Sequence, residues 1–166
     1  ANNGCDDDIY LRHMAQAGAA SSMDCVGIHY NEGILSPSRT SGDPRGNPNH
    51  YTRYYQTMVN LYSSIFPSKP LCFTELGYLS PEGYGPLPSG FAWAVNTSIE
   101  EQALWLHDAI QVAAQMSSAK VDMIIVFNVD FDRYDAEDPQ AGYAIIRADG
   151  SCPACLQLTA LRGGRG

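Results

Sequence analysis

The chain has 166 residues, of which 45% are hydrophobic and 17% charged, and this composition is typical of one globular domain with a substantial core. Its net charge of -8 argues against a nucleic-acid-binding surface, which would need a basic stripe. No apolar run approaches the ~20 residues that a membrane helix requires, so we expect no membrane partner. Composition leaves the cellular compartment open, with secretion as one alternative.

The N-terminal part of the chain predicts a helix, a strand and a long loop, in that order. Residues 6–8 are three aspartates, which favour a helix start because the helix dipole attracts negative charge there. Ile9 and His13 continue this segment at helical spacing. The apolar run 23–30 then predicts a strand, and residues 31–49, rich in Ser, Pro, Gly and Asn, predict a loop.

Two further helix–strand pairs follow. An aromatic stripe at helical spacing predicts a second helix within 51–65, and an apolar run predicts a second strand over 71–76. Ser98 and Glu101 have the spacing of a capping box, which predicts the start of a third helix. The run 122–130 predicts the third strand. Another long loop separates the second strand from the third helix.

Nearly continuous apolar strands that alternate with amphipathic helices predict an α/β fold with a parallel sheet covered by helices. We treat residues 1–166 as a single domain of βα repeats. The long loops all follow strands, and the polar residues His29, Glu75, Asn128 and Asp130 stand at or just beyond the strand ends. Because the carboxyl ends of parallel strands meet at one edge, we expect one polar site there.

Glu75 is the most informative of these polar residues. It ends a buried strand and is followed closely by Gly77, which can turn the backbone. A carboxylate at the mouth of a buried strand is costly to desolvate, so it usually has partners or a chemical role. The alternative is a strand-end glutamate that caps a helix or lies in solvent.

The cysteines show no spacing typical of a disulfide framework. Cys25 and Cys72 lie in or beside strand-like runs, where a thiol is most often a small buried apolar group. Cys152 and Cys155 have redox-motif spacing but do not open a helix after a first strand, so we favour a structural role, with a disulfide or a metal pair as alternatives. Zinc would need two more converging ligands, so no metal site and no cofactor are predicted.

Four segments, in this order, resemble the (β/α)8-barrel retaining glycosidases, the clan that includes cellulases, xylosidases and mannanases. Residues 74–77 resemble the strand-seven motif, and residues 27–31 resemble the end of strand six. Residues 126–131 resemble strand eight, and 143–151 resemble the hairpin that closes many of these barrels. The resemblance covers roughly the second half of such a barrel, from the helix before strand six onward.

The resemblance implies a TIM-barrel-like half-barrel and a glycoside hydrolase, or a fragment of one, that cleaves β-linked poly- or oligosaccharides with Glu75 as nucleophile. Phe127 stands where many relatives carry a Trp that stacks under the sugar, and Asn31 stands where a Tyr often contacts the nucleophile. Trp93, on a loop rich in Gly and Pro, is the best candidate for stacking on a sugar. The residues assigned to carbohydrate binding are His29, Tyr30, Asn31, Trp93, Phe127, Asn128 and Asp130.

Retaining hydrolysis needs a second carboxyl group roughly 5–5.5 Å from the nucleophile. In the resembled family this acid/base Glu follows an Asn at the end of strand four, and no strand-like run here carries that pair. Glu32, in the only Asn-Glu pair of the sequence, is one substitute; Asp130 and Asp132 are others. We expect Tyr30 or His29 to hold Glu75.

A half-barrel would leave strand edges and one apolar sheet face uncovered. A missing N-terminal half, a second copy in a homodimer, or rearranged loops could cover them. A non-catalytic carbohydrate-binding or vestigial half-barrel module is therefore the main alternative to an enzyme. A redox protein that uses Cys152 and Cys155 is the third hypothesis.

Overall fold

The computed structural model describes residues 6–161 and has an α/β architecture. Its three strands form one parallel sheet in the order β1-β2-β3. The strands are β1 (Val26–Tyr30), β2 (Leu71–Leu76) and β3 (Val121–Val126). The α-helices of the described range are α1 (Asp7–Gln16), α2 (Tyr55–Ile65), α3 (Ile99–Gln115) and α4 (Pro153–Ala160).

The predicted alternation of helices with three parallel strands is confirmed, with shifted ends. β1 begins at Val26 rather than at residue 23. β3 ends at Val126 rather than at residue 130, because the backbone beyond it turns to a different partner. Residues 128 and 129 exchange hydrogen bonds with the segment 143–146 instead of continuing along β2.

The helices cover one face of the sheet. Val26, Ile28 and Tyr30 alternate toward this side of β1 and are buried, as period-two strands require. Val59 of α2 and Leu106 of α3 are fully buried in the same hydrophobic core. Because side chains alternate along a strand, the residues between these buried ones, such as His29, project from the opposite face of the sheet.

The predicted capping box at the start of α3 is present. The Ser98 hydroxyl accepts a hydrogen bond from the Glu101 backbone N–H at 3.1 Å, and the Glu101 carboxylate accepts one from the Ser98 N–H at 2.9 Å. Two N–H groups that the helix leaves unpaired are thereby satisfied. Local chemistry therefore determines where this helix begins.

The other face of the sheet is largely uncovered. Met123 and Ile125 are 40% and 48% exposed, and His29 also projects on this side. Within residues 6–161 the outer edges of β1 and β3 pair with no further strand. An open sheet with one exposed apolar face is the architecture that the structure establishes.

Two disulfides correct the interpretation of the cysteines. Cys25 and Cys72 are bonded to each other, with Cα atoms 5.9 Å apart, rather than being separate buried thiols. Cys152 and Cys155 form the second disulfide, which was one of the open alternatives. Its Cys152 sulfur also accepts a hydrogen bond from the Cys155 N–H at the start of α4. Cys5 lies outside the described residues.

Long connections follow each strand, as predicted, whereas the links that enter β2 and β3 are short. The segments 31–50 and 77–98 follow β1 and β2, and 127–152 follows β3. The three segments therefore gather over the carboxyl ends of the strands, where sites of parallel α/β proteins are built. Among the described helices, none combines the length and the hydropathy needed to cross a membrane.

Candidate active site

Glu75 lies at the carboxyl end of the central strand and is held by two side chains from β1 and the residue after it. The Asn31 amide Nδ2 donates a hydrogen bond of 2.6 Å to Glu75 Oε2. His29 Nδ1 lies 3.5 Å from the same oxygen. The Glu75 side chain is 32% exposed, so it is held by protein groups yet open to a ligand.

An irregularity in strand pairing creates this arrangement. Ile28 pairs with Phe73, but the register then shifts, so that His29 lies opposite Glu75 rather than Thr74. A bulge of this kind re-aims side chains and is common beside active sites. The shift therefore places an imidazole and a carboxylate side by side at the end of the sheet.

Gly77 lies where the backbone after Glu75 passes very close to the end of β3. A Cβ atom at this position would collide with the carbonyl oxygen of Phe127 and would press on Asn31 Oδ1 at 3.1 Å. Glycine allows the chain after Glu75 to pass directly beneath the end of β3. The Phe127–Asn128 peptide at this point is cis.

The Glu75 side chain lines a cleft of about 380 Å³. Aromatic side chains of Trp93, Phe91 and Phe127 line it, together with the polar side chains of Glu32 and Gln140. A cleft that combines apolar faces with a few polar groups is typical of small-ligand sites. A larger groove of about 630 Å³ at the opposite end of the sheet contains no carboxylate in its lining.

Tyr143 forms part of the cleft wall and links it to Asn31. Its hydroxyl donates to the Asn31 carbonyl oxygen at 2.8 Å, and its ring meets that of Phe127 edge-on. Burial raises the pKa of Tyr143 well above its usual value, and the negative charges of Glu32 and Glu75 raise it further. Tyr143 therefore remains a protonated donor that positions the Asn31 backbone.

Glu32 is a second carboxylate in the cleft. Its side chain is 60% exposed, and its Oε2 lies 3.7 Å from Arg53 Nη1. It also lines an adjoining cavity of about 270 Å³ with His29 and Tyr30. The segment that follows β1 thus separates two neighbouring cavities at the end of the sheet.

Tyr30 does not hold Glu75. It is only 3% exposed, its ring packs among core aromatics, and its hydroxyl donates to the Arg53 carbonyl oxygen at 3.3 Å. Burial raises its pKa far above the usual value. The physical reason is strand alternation: Tyr30 points to the helix-covered face, whereas His29 points to the open one.

Asn128 and Asp130 do not line the cleft. The Asn128 amide donates to the Gln140 carbonyl oxygen at 2.9 Å, and its Oδ1 accepts from the Phe131 N–H at 3.2 Å. Asn128 therefore holds the loop after β3 against the segment that contributes Gln140. Asp130 and Asp132 are exposed and outside the cleft lining.

Sequence reasoning missed Gln140 and Tyr143 as parts of the site. Gln140 Oε1 and Asn31 Oδ1 are both buried without a hydrogen-bond partner among the described residues, and both residues line the Glu75 cleft. Neither oxygen is accessible to solvent, so each is a buried acceptor whose desolvation is not compensated among the described residues. No local sequence pattern predicts a role for Gln140, because its position at the cleft depends on how the long loop after β3 folds.

The fold and site define an α/β protein with one held carboxylate in an aromatic cleft at the strand ends. Comparison of the chain with known protein families, with characterised proteins and with solved structures finds no match. Within residues 6–161, no group of three or more His, Cys, Asp or Glu side chains could hold a metal ion.

Proposed function

We propose that the chain is a retaining glycoside hydrolase, or the part of one that carries the nucleophile, acting on β-linked poly- or oligosaccharides. One observation carries the proposal: the Glu75 carboxylate ends the central strand and receives the Asn31 amide at 2.6 Å inside an aromatic cleft. The motif resemblance of the segments around Glu75, Asn31 and Phe127 points to the same chemistry.

The contacts of Glu75 suit nucleophilic attack on a sugar. Asn31 and His29 both approach Oε2, which leaves the other carboxylate oxygen free to bond the anomeric carbon. In retaining hydrolysis this bond forms while the leaving-group oxygen takes a proton from a second carboxyl group, and water then cleaves the ester. Orientation of one oxygen by donors restricts the carboxylate to a productive rotamer.

The cleft walls suit a sugar ring. Trp93 and Phe91 face the cleft with ring centroids 6.3 Å apart, and Phe127 lies on the side of β3. Pyranose rings present apolar C–H faces that pack on aromatic rings, while their hydroxyls need acceptors. The partly exposed carboxylates of Glu75 and Glu32, which both line the cleft, supply such acceptors.

The topology supports the half-barrel as part of this proposal. Strands that follow one another in chain order with helices on one face are typical of a singly wound barrel, whereas doubly wound sheets carry helices on both faces. The open face with Met123 and Ile125 is where the remaining barrel strands would pack. We propose that an N-terminal half-barrel, or a second copy of the chain, covers it.

The second carboxyl group has two sources within this proposal. Glu32 already lies in the cleft, and the polypeptide that covers the open face is the other source. Glu32→Gln distinguishes them, because loss of an acid/base slows turnover by roughly 10²- to 10⁴-fold. Restoration of that turnover by azide would assign the acid/base role to Glu32; unchanged turnover would assign it to the covering half.

Covalent labelling tests the nucleophile directly. The purified chain is treated with a panel of mechanism-based 2-deoxy-2-fluoroglycosides of glucose, xylose and mannose, and its mass is measured before and after digestion. We expect one adduct, on the peptide that contains Glu75, and none in Glu75→Gln. Glu137→Gln, an exposed carboxylate outside the cleft, is the matched control and should label normally. An adduct on another residue would remove the assignment.

The alternative function is a non-catalytic carbohydrate-binding module. One observation favours it: besides Glu75, the described cleft is lined by one carboxylate, Glu32, and that carboxylate is paired with Arg53 rather than left unpaired as an acid/base. A binding module would bind oligosaccharides without forming a covalent adduct and without hydrolysing them. Glu75→Gln would then change the binding affinity only modestly. Titration calorimetry beside the labelling experiment separates the two functions.

A further inference from the structure

Two loops meet beside the cleft at one cation–aromatic contact. Arg45 belongs to the segment 31–50 after β1, and Trp93 belongs to the segment 77–98 after β2. The Arg45 guanidinium carbon lies over the indole ring, 5.4 Å from its centroid. Trp93 lines the Glu75 cleft, whereas Arg45 does not, so any influence of Arg45 on a ligand passes through Trp93.

Asp43 holds the guanidinium in place. Arg45 Nη2 donates to Asp43 Oδ2 at 2.6 Å, and Arg45 Nε donates to Oδ1 at 2.9 Å, which is a two-pronged contact. The Asp43 side chain is completely buried and also accepts from the Arg45 backbone N–H at 2.9 Å. Its own N–H donates to the Tyr54 hydroxyl, which ties the pair to the start of α2.

Asp43 remains ionised although its side chain is buried. Burial opposes ionisation of Asp43, but the hydrogen bonds and positive charge of Arg45 outweigh that effect and hold its pKa below the ordinary value. A buried ion pair of this kind contributes little net stability relative to apolar side chains, but it specifies one geometry. Its conformational role therefore lies in where it holds the guanidinium.

Trp93 also packs at the edge of a small apolar cluster that contains Leu79, Ala94 and Tyr143, while its closest polar and aromatic partners are local. Its indole Nε1 donates to the Gly90 carbonyl oxygen at 3.0 Å, and its ring lies near that of Phe91. Both partners belong to the same short helical turn as Trp93, so they would move with it. Arg45 adds a charged contact that ties the indole to the loop after β1.

We infer that Arg45 is a positioning residue: Asp43 orients its guanidinium, and the guanidinium holds the Trp93 indole as the aromatic wall of the Glu75 cleft. One face of the indole is thereby occupied, and the other is left for a single neutral sugar ring. The substrate part of this inference rests on the proposed function. The positioning part concerns the chain without ligand and can be tested separately.

The positioning part is tested without sugar. Trp93 and Trp105 are the two tryptophans of the chain, so Trp105→Phe leaves Trp93 as the only indole reporter. In this background we expect Arg45→Met to increase acrylamide quenching and to lower fluorescence anisotropy, and Arg45→Lys to restore part of both. Arg39→Met, an exposed arginine on the same loop, is the matched control.

Loss of Arg45 alone would leave Asp43 buried without its partner and could prevent folding. The double variant Asp43→Asn/Arg45→Met removes both charges and is therefore made as well, with circular dichroism as the check of folding. If the folded double variant has the same quenching and anisotropy as the Trp105→Phe parent, Arg45 does not position Trp93 and the inference is overturned.

The substrate part is tested with cellotetraose, xylotetraose and mannotetraose in calorimetric titrations. For the sugar that binds, we expect the double variant to lose affinity roughly three- to tenfold, with a raised KM and little change in kcat where turnover is measured. Changed quenching with unchanged affinity would overturn Trp93 as the sugar wall. If the parent binds none of the three sugars while the quenching result holds, it is the proposed function that fails, and the positioning role stands.

Discussion

The side-chain amide of Asn31 donates to Glu75 Oε2 at 2.6 Å, although 44 positions separate the two residues in the chain. This contact joins the ends of two neighbouring parallel strands. Asn31 in turn receives the Tyr143 hydroxyl on its backbone carbonyl oxygen, so the loop after β3 also supports it. Three strand ends thereby determine the position of one carboxylate.

Asn31→Ala should lower turnover more than it lowers stability. A hydrogen bond to a charged group contributes about 1.5–3 kcal/mol, so we expect kcat/KM to fall roughly 10- to 100-fold on an aryl glycoside of the sugar found by labelling. Asn96→Ala, at an exposed position on the loop after β2, is the control and should retain full activity. Equal rates in the two variants would show that the amide does not orient Glu75.

Acid should weaken the fold through Asp43. Its pKa in the folded chain is lowered, so the ionised carboxylate contributes stability above its unfolded pKa of about 3.9, and this contribution is lost as the pH falls through the folded value. We expect the urea midpoint of the wild-type chain to fall more steeply below about pH 4 than that of Asp43→Asn/Arg45→Met. Parallel curves for the two proteins would contradict this assignment.

Removal of the Cys25–Cys72 disulfide should be costly. It links residues 47 positions apart, and closing a loop of that length in the unfolded chain corresponds to about 4 kcal/mol. We therefore expect Cys25→Ala/Cys72→Ala to lose a free energy of unfolding of that order in urea titrations. Cys152→Ala/Cys155→Ala, which removes a link over 3 positions, is the control and should lose much less.

The open sheet face should govern assembly. Ile125 is 48% exposed on the edge strand β3 of this face, so Ile125→Glu costs little in the isolated fold but opposes apolar packing on it. If a second copy covers the face, the wild-type chain elutes as a dimer in sizing with light scattering, and Ile125→Glu elutes as a monomer. Leu156→Glu, on the exposed side of α4, should leave the dimer intact. A monomeric wild-type chain would exclude the homodimer and leave the missing half-barrel.

Local sequence patterns predicted the elements because their causes are local. The aromatic stripe that becomes α2 repeats at the helical period, and Ser98 with Glu101 caps α3 through bonds three residues apart. Apolar strands between amphipathic helices leave a parallel sheet as the economical way to bury both. Alternation along β1 places Tyr30 on the same side as Val26 and Ile28, which is the core side. The prediction that Tyr30 could hold Glu75 relied instead on its position next to His29, and it was wrong.

The sequence by itself therefore determined the helices, the parallel strands and the location of Glu75 at a strand end. Only the tertiary structure decided which groups surround it. The register shift after Ile28 brings His29 opposite Glu75, the loop after β3 delivers Gln140 to the cleft, and Arg45 meets Trp93 across two loops. These contacts join residues far apart in the chain, and their geometry depends on strand register and loop path, which local propensity does not encode.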